Sequence, residues 1–201
     1  MQWYRQLGIQ HILGFEPFPP AIQRFKEKYG DSIPLVECAL SDKDGEQILY
    51  QYAPDGSGSS LYPAIVEMTI GVTPGWALDH FGPAYGAKSE TLVKVCRFDT
   101  FVNDWPKEFP WDQYDCCVMD TQGNEHDILK GMGDKLFQFK YWNIELSRVP
   151  GYFGESPAEE VSDWMAERGY RRDSPIEGHN DVFFIRSDLS KNSDRLYRGV
   201  A

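Results

Sequence analysis

The regular alternation of apolar and amphipathic runs constrains the fold of this chain more than any other feature. Short apolar runs typical of buried strands occupy residues 11–15, 33–40, 92–98, 115–119, 141–146 and 181–185. Segments with helical spacing of apolar residues lie between them, at residues 20–29, 125–132 and 157–169. Strands that alternate with helices form sheets covered on both faces, so this order predicts an α/β fold with a doubly wound, mostly parallel sheet.

Local turn signals refine this prediction. Asp44 and Gly45 favour a tight turn, which predicts a hairpin into the strand-like run 46–52. Gly169 is expected to end the last helix. Residues 62–89 show no sustained periodicity, and we expect residues 187–201 to form a loosely held polar tail.

Length and charge limit the number of domains and the classes of partner. A chain of 201 residues with 41% hydrophobic content can bury one substantial core, so we predict a single domain over residues 1–201. The 31 acidic residues outnumber the 20 basic ones and give a net charge of -11, which repels phosphate backbones and anionic lipids. We therefore expect neither nucleic acid nor a membrane as a partner.

The four cysteines lie inside apolar stretches and lack the regular loop spacing of a disulfide framework. They are Cys38, Cys96, Cys116 and Cys117. This placement predicts buried free thiols in a reducing compartment. The N-terminal residues show no basic region followed by an apolar core, so we expect a cytoplasmic protein.

Polar residues follow several of the predicted strands. Glu16, Ser41, Asp120 and Glu145 all fall at or near strand ends. Ligands of doubly wound sheets bind beyond the carboxyl ends of the strands, so these side chains predict a shared site. Each of them taken alone is equally well explained as a turn residue or a helix cap.

The order of several motifs resembles that of the FkbM family of S-adenosylmethionine-dependent methyltransferases. The motifs are GFEPFPPAIQRF, VECALSDKDGE, GSGSSL, VCRFDTFV, VMDTQGNEHDILKGM and NIELSRVPGYFGE. The most specific runs from Asp120 to Gly131 and is similar to the family signature D-x-(E/Q)-G-x-E-x-x-x-L-K-G. The resemblance implies a Rossmann-like sheet of the class I methyltransferase type and S-adenosylmethionine as the cofactor.

The resemblance also implies roles for residues that bind the cofactor. Glu16 matches the acidic residue that holds the ribose hydroxyls, and a carboxylate can accept both hydroxyl protons. Residues placed beside the adenine ring are Ala39, Leu40 and Ser41, with Asp42 as a further candidate. Asp120 and Gln122 match the motif near the methionine part of the cofactor and the methyl acceptor.

Methyl transfer is an in-line displacement that needs alignment, exclusion of water and, for a hydroxyl acceptor, a base. We take Asp120, Glu145 and His126 as the candidate catalytic residues, and His179 is another possible base. Either histidine could instead be an ordinary surface residue, and Glu125 is better suited to supporting its loop. Neither H-x-E, C-x-x-C nor H-E-x-x-H spacing occurs, so no catalytic metal is expected.

The sequence departs from the family at its beginning. Family members open with a strand and a D-x-G-x-x-x-G-like loop, and nothing before His11 matches them. Residues 1–8 resemble the end of the helix that follows this loop, so we expect the central first strand to be absent. The neighbouring strands could then pair directly, a second copy of the chain could supply a strand in a homodimer, or the chain could be a truncated form.

Two function hypotheses follow. The first is an S-adenosylmethionine-dependent O-methyltransferase that acts on a sugar or another small hydroxylated molecule. The second is a non-catalytic protein with a methyltransferase fold that binds a ligand or partner. Another kind of Rossmann enzyme is disfavoured because no G-x-G-x-x-G follows a strand.

Residues 57–60 predict a flexible loop or lid, since no lysine follows to make a P-loop.

Overall fold

The computed structural model describes residues 4, 6, 8–53, 56–65, 89–104 and 110–189. These residues form both strands and helices, which confirms a mixed α/β structure. The strands are β1 (Gly14–Phe15), β2 (Leu35–Val36), β3 (Ala39–Leu40), β4 (Gly45–Gln51), β5 (Ser89–Cys96), β6 (Cys116–Met119), β7 (Tyr141–Ser147), β8 (Tyr170–Arg172) and β9 (His179–Arg186). The α-helices are α1 (Pro19–Tyr29), α2 (Phe98–Asp104), α3 (Glu125–Gly131) and α4 (Ala158–Glu167).

The described strands are arranged in three sheets. Their orders are β1-β2, β3-β5-β4 and β6-β7-β9-β8. Three of the six strand pairs are parallel and three are antiparallel. The expected single, mostly parallel sheet is therefore not confirmed. Strands β8 and β9 are joined by only residues 173–178, and such a short connection returns a strand antiparallel to its predecessor.

The prediction of a hairpin at Asp44 and Gly45 is wrong. Strands β3 and β4 flank β5 on opposite sides and do not pair with each other. Asp44 instead accepts a hydrogen bond from the backbone of Arg97 at 2.9 Å, which ties the turn to the end of β5. The run 33–40 is also divided, because β2 pairs with β1 while β3 pairs with β5.

The main hydrophobic core lies between the β7 sheet and the helices α3 and α4. Trp142 and Ile144 of β7 are fully buried, as is Met165 of α4. Burying a side chain of this size stabilises the fold by about 1.5–3 kcal/mol. Helix α4 confirms the segment predicted over residues 157–169, and it ends before Gly169, which adopts a φ of 82°.

A close backbone contact fixes α3 against the end of β3. A Cβ atom on Gly131 would lie 1.9 Å from the carbonyl oxygen of Ser41, so only glycine fits at this position. The contact places the C-terminal end of α3 beside the end of β3. None of the helices in the described ranges is long and apolar enough to cross a membrane. The part of residues 62–89 that spans 66–88 and the tail from residue 190 lie outside the described residues.

Candidate active site

A cavity of about 1240 Å³ lies at the carboxyl ends of the strands. Its wall includes six of the nine site residues predicted from sequence, namely Glu16, Ala39, Leu40, Asp120, Gln122 and Glu145. His179, the additional candidate base, also lines it. Ser41, Asp42 and His126 are not part of this wall. The fold thus converts a set of separate strand ends into one continuous space.

The loop that follows β6 explains the spacing of the most specific motif. Gln122 adopts a positive φ of 58°, and Gly123 follows with a φ of 99°. Glu125 is buried at the start of α3, and its carboxylate accepts the backbone N–H of Thr121 at 2.7 Å and that of Gly123 at 2.9 Å. Glu125 therefore holds the loop in place, as the sequence predicted.

The conformation of this loop turns Gln122 toward two carboxylates. Its side-chain nitrogen donates one hydrogen bond to Asp120 and another to Glu145, each 2.7 Å long. Its side-chain oxygen accepts the hydroxyl of Tyr152 at 3.0 Å. Because both amide protons are used, Gln122 keeps two like charges close together and oriented.

His179 extends this polar network along β9. Its Nε2 atom lies 3.2 Å from Glu145 Oε1, and its Nδ1 atom lies 2.5 Å from the hydroxyl of Ser147. The antiparallel register places Ser147 opposite His179. The pairing of β7 with β9 therefore places His179 in the cavity wall, although this residue is distant from the motif in sequence.

The charges in this network shift one another's pKa values. Partial burial raises the pKa of Asp120, and the nearby charge of Glu145 adds to this effect. The hydrogen bond from His179 lowers the pKa of Glu145, and the same contact raises the pKa of His179. The arrangement favours an ionised pair of Glu145 and His179 beside an Asp120 that takes up a proton more readily than a free aspartate.

Glu16 lies on the cavity wall between β1 and α1. Its Oε1 atom accepts the backbone N–H of Phe18 at 2.9 Å, which fixes the turn into the helix. Burial raises the pKa of its carboxyl, against the opposing effects of this hydrogen bond and of Arg24. Glu16 is thus both a turn residue and a carboxylate held at the cavity.

The end of β3 forms an apolar part of the wall with a polar link to α3. Asn124 is buried beside it and donates from its side chain to the carbonyl of Leu40 at 2.7 Å. The side-chain oxygen of Asn124 has no hydrogen-bond partner within the described residues. Ser41 is fully buried and is not part of the cavity wall, and its backbone N–H donates to the carbonyl of Cys96 at 2.9 Å.

A second loop closes over the motif. Ser60 donates its hydroxyl to the backbone carbonyl of Gln122 at 2.6 Å, and the hydroxyl of Tyr152 lies 3.1 Å from the carbonyl of Gly58. Residues 56–59 and Leu61 line the cavity, so the GSGSS segment contributes directly to the site. Sequence analysis assigned Ser60 only to a flexible loop or lid and gave Asn124 and Tyr152 no individual role, because no spacing rule links them to the motif.

Comparison with known proteins assigns the sequence of this chain to a family. The family model of the methyltransferase FkbM domain matches residues 3–172. The chain belongs to the FkbM methyltransferase family. This confirms the resemblance drawn from the motifs.

One curated relative of this FkbM methyltransferase domain is the 2-O-methyltransferase NoeI of Sinorhizobium fredii. The two are 26% identical over 155 residues, which is 75% of this chain and 59% of NoeI. The chain therefore matches less than two thirds of the length of that relative. No solved structure matches the chain significantly.

His126 takes a different position in this FkbM domain from the one expected of a base. It is buried against α4, where its Nδ1 atom lies 2.8 Å from the hydroxyl of Ser156 and its ring packs edge-on to Trp164. Burial lowers its pKa. The structure thus gives His126 a place in the packing of α3 on α4, while His179 reaches the cavity.

The side chains of the site are not arranged as a metal centre. Within the ranges that the structure describes, no three His, Cys, Asp or Glu residues are grouped so as to hold a metal ion. Asp120 and Glu145 accept hydrogen bonds from the side chain of Gln122, and Glu145 also contacts His179. The arrangement suits proton transfer and the binding of a polar organic ligand.

Proposed function

We propose that this chain is an S-adenosylmethionine-dependent O-methyltransferase whose acceptor is a hydroxyl group of a sugar or a similar small molecule. The observation that carries the proposal is the single cavity that joins Glu16, Leu40 and the linked pair of Asp120 and Glu145. Membership of the FkbM family and the similarity to a protein named as a 2-O-methyltransferase support it.

The residues of the cavity fit an adenosyl cofactor. Its volume of about 1240 Å³ exceeds the range of roughly 300–1,000 Å³ typical of ligand pockets, so a cofactor and an acceptor can be held together. Glu16 would accept the ribose hydroxyls, and Ala39 and Leu40 would contact the adenine ring. The side-chain oxygen of Asn124, which has no hydrogen-bond partner among the described residues, offers an acceptor on this side of the space, next to Leu40.

The linked carboxylates would act on the acceptor. When bound, S-adenosylmethionine supplies a methyl group on a positively charged sulfur. Asp120 accepts the proton of the acceptor hydroxyl, and its raised pKa makes it a better base than a free aspartate. Gln122 fixes the orientation of Asp120, and Glu145 is kept ionised by His179. Glu145 and His179 are therefore positioning residues.

We infer further that β1 and β6 border the place of a central strand in a doubly wound, Rossmann-like sheet. Within the described part of the chain, β1 pairs only with β2, and β6 pairs only with β7. Among the described strands, β1 and β6 therefore do not pair directly with each other. Val118 of β6 is 49% exposed and lines the cavity, although strands of parallel sheets are normally covered on both faces.

A second candidate function is a non-catalytic protein that binds a ligand or partner through the same cavity, whose wall at β6 exposes Val118. A homodimer in which each copy contributes a strand is one such arrangement. Sedimentation equilibrium tests the homodimer. If the protein is purely monomeric and still binds the cofactor, the cavity does not require a strand from a second copy.

Cofactor binding is the first test of the proposed function. Calorimetric titration with S-adenosylmethionine and S-adenosylhomocysteine is expected to give micromolar binding, which Glu16→Ala weakens at least tenfold. Glu27→Ala is the matched control, since Glu27 lies exposed on the adjacent helix and contacts Gln23. The absence of binding heat for the unaltered protein favours the non-catalytic candidate.

Catalysis is tested with labelled methyl groups and a panel of sugars and polyols. Replacing a general base typically lowers the rate by about 10²–10⁴, so Asp120→Asn is expected to reduce kcat by this range while the Kd for S-adenosylhomocysteine changes little. Asp163→Asn on the exposed surface of α4 is the control. Equal rates for Asp120→Asn and the unaltered protein exclude Asp120 as the base.

A further inference from the structure

Two cysteines that are distant in sequence meet beside the cavity. The Sγ atoms of Cys38 and Cys96 are 2.8 Å apart. The register of β3 and β5 pairs Leu40 with Cys96, and Cys38 lies two residues before Leu40. Cys38 immediately precedes β3, so the pairing of β3 with β5 brings its side chain to that of Cys96.

The geometry needs little change to form a covalent bond. A disulfide has a sulfur separation of about 2.05 Å, so the two Sγ atoms must approach by less than about 1 Å. By contrast, Cys116 and Cys117 are consecutive residues of β6, whose side chains point to opposite faces. Among the four free cysteines, the pair of Cys38 and Cys96 is the one preorganised for oxidation.

Cys38 is accessible from the candidate active site. Cys38 is buried from the outer surface but lines the cavity, next to Ala39 and Leu40. Cys96 is half-buried and is not part of the cavity wall. A small polar oxidant can therefore reach Cys38 through the space where a cofactor is proposed to bind.

We propose that Cys38 and Cys96 form an oxidative modification site, in which a peroxide entering the cavity converts the two thiols into an intramolecular disulfide. The Cys38 thiolate attacks one peroxide oxygen and the O–O bond breaks, which gives a sulfenic acid and, for hydrogen peroxide, hydroxide that takes the thiol proton as water. Cys96 then attacks the Cys38 sulfur, the S–O bond breaks, and a second water leaves. The two thiols lose two electrons, and the peroxide gains them.

The order of attack follows from the hydrogen bond between the thiols. The contact with Cys96 lowers the pKa of Cys38, while the contact with Cys38 and burial raise the pKa of Cys96. Because the thiolate is the nucleophile, Cys38 reacts first and Cys96 resolves the intermediate.

Peptide mapping tests the proposal on the full chain. After treatment with hydrogen peroxide and alkylation of the remaining thiols, unreduced digests are expected to contain a cross-link between the peptides of Cys38 and Cys96. Its mass is lower than the sum of the two peptides by two hydrogen atoms, and dithiothreitol reverses it. Cys116→Ser is the control and retains the cross-link. Over-oxidised Cys38 or Cys96 without a cross-link overturns the proposal.

Two serine variants test the order of the steps. In Cys96→Ser, a dimedone probe is expected to label Cys38 several-fold more than it labels Cys96 in Cys38→Ser, provided that circular dichroism shows both variants folded. Equal labelling, or labelling of Cys96 alone, overturns the assigned order. Should both variants fail to fold, the time course of sulfenic acid on each peptide of the unaltered protein gives the same comparison.

Protection by ligand tests the route of access and rests on the proposed function. Saturating S-adenosylhomocysteine is expected to slow cross-linking several-fold, since it would cover Cys38. Measured binding without any slowing overturns access through the cavity. Absence of binding counts against the proposed function alone, because the cross-link in the ligand-free protein is scored independently.

Discussion

Gln122 donates its side-chain amide to Glu145 over 2.7 Å and thereby joins the loop after β6 to the strand β7. The bond spans two elements whose side chains would otherwise present like charges to each other. It depends on the positive φ of Gln122, which in turn depends on the capping of the loop by Glu125. Positioning of the carboxylates is thus a property of the loop as a whole.

Replacing Gln122 tests this link. Gln122→Ala removes the hydrogen bonds to Asp120 and Glu145, so we expect a loss of about 1–2 kcal/mol in the free energy of unfolding, measured with urea. The pKa of Asp120 should also rise further, because the hydrogen bond from Gln122 opposes its increase. Gln23→Ala, on the exposed face of α1, should change stability by less than about 0.5 kcal/mol.

The glycine of the motif makes a second prediction. Gly123→Ala forces an alanine to a φ of 99° and places its Cβ 3.2 Å from side-chain atoms of Tyr152 and Glu155. We therefore expect the free energy of unfolding to fall by about 2–3 kcal/mol. Gly178→Ala is matched in conformation, with a φ of 82° and no atom within 4 Å of the added Cβ. It should cost only about 1 kcal/mol of backbone strain. Equal thermal shifts for the two variants would show that the packing against Tyr152 adds nothing.

Glu125 predicts a dependence of stability on pH. Burial raises its pKa from 4.5 to about 7. The folded state therefore binds more protons between these values, and its stability falls as the pH rises from 4.5 through 7. The shift corresponds to about 3 kcal/mol. Glu125→Gln removes this ionisation. Between pH 4.5 and 8 the free energy of unfolding of the unaltered protein should therefore fall by about this amount relative to that of the variant.

The control for Glu125 is Glu167→Gln, on the exposed end of α4. It should leave the pH slope of the unfolding free energy unchanged. Parallel stability curves for Glu125→Gln and the unaltered protein across this pH range contradict the assignment of the slope to Glu125.

The contact between Glu145 and His179 predicts that each residue shifts the pKa of the other, upward for His179 and downward for Glu145. Glu145 raises the pKa of His179 above 6.5, so this contact stabilises the fold fully below pH 6.5 and less as the pH rises through the raised value. Glu145→Gln should lower the pKa of His179, followed by the NMR titration of its imidazole protons. Glu177→Gln removes an exposed carboxylate near His179 in sequence and should leave the titration in place.

Much of the secondary structure could be predicted because its signals are local. The alternation of Cys116–Met119 with Glu125–Gly131, and the amphipathic spacing of α4, each depend on neighbouring residues. The polar residues at strand ends could be proposed as a site for the same reason. The positive φ of Gly123 and the capping role of Glu125 are likewise encoded within six residues.

The mixed α/β class, the family and the motif that carries Asp120, Gln122 and Glu125 follow from the order of residues along the chain. The pairing of the strands, with β3 and β4 on opposite sides of β5, became known only from the folded chain. The same is true of His179, which reaches the cavity, and of His126, which packs against α4. It also brought Cys38 to Cys96. These outcomes depend on contacts between residues far apart in the chain, where packing free energy and strand register select one arrangement among several that the local pattern permits equally.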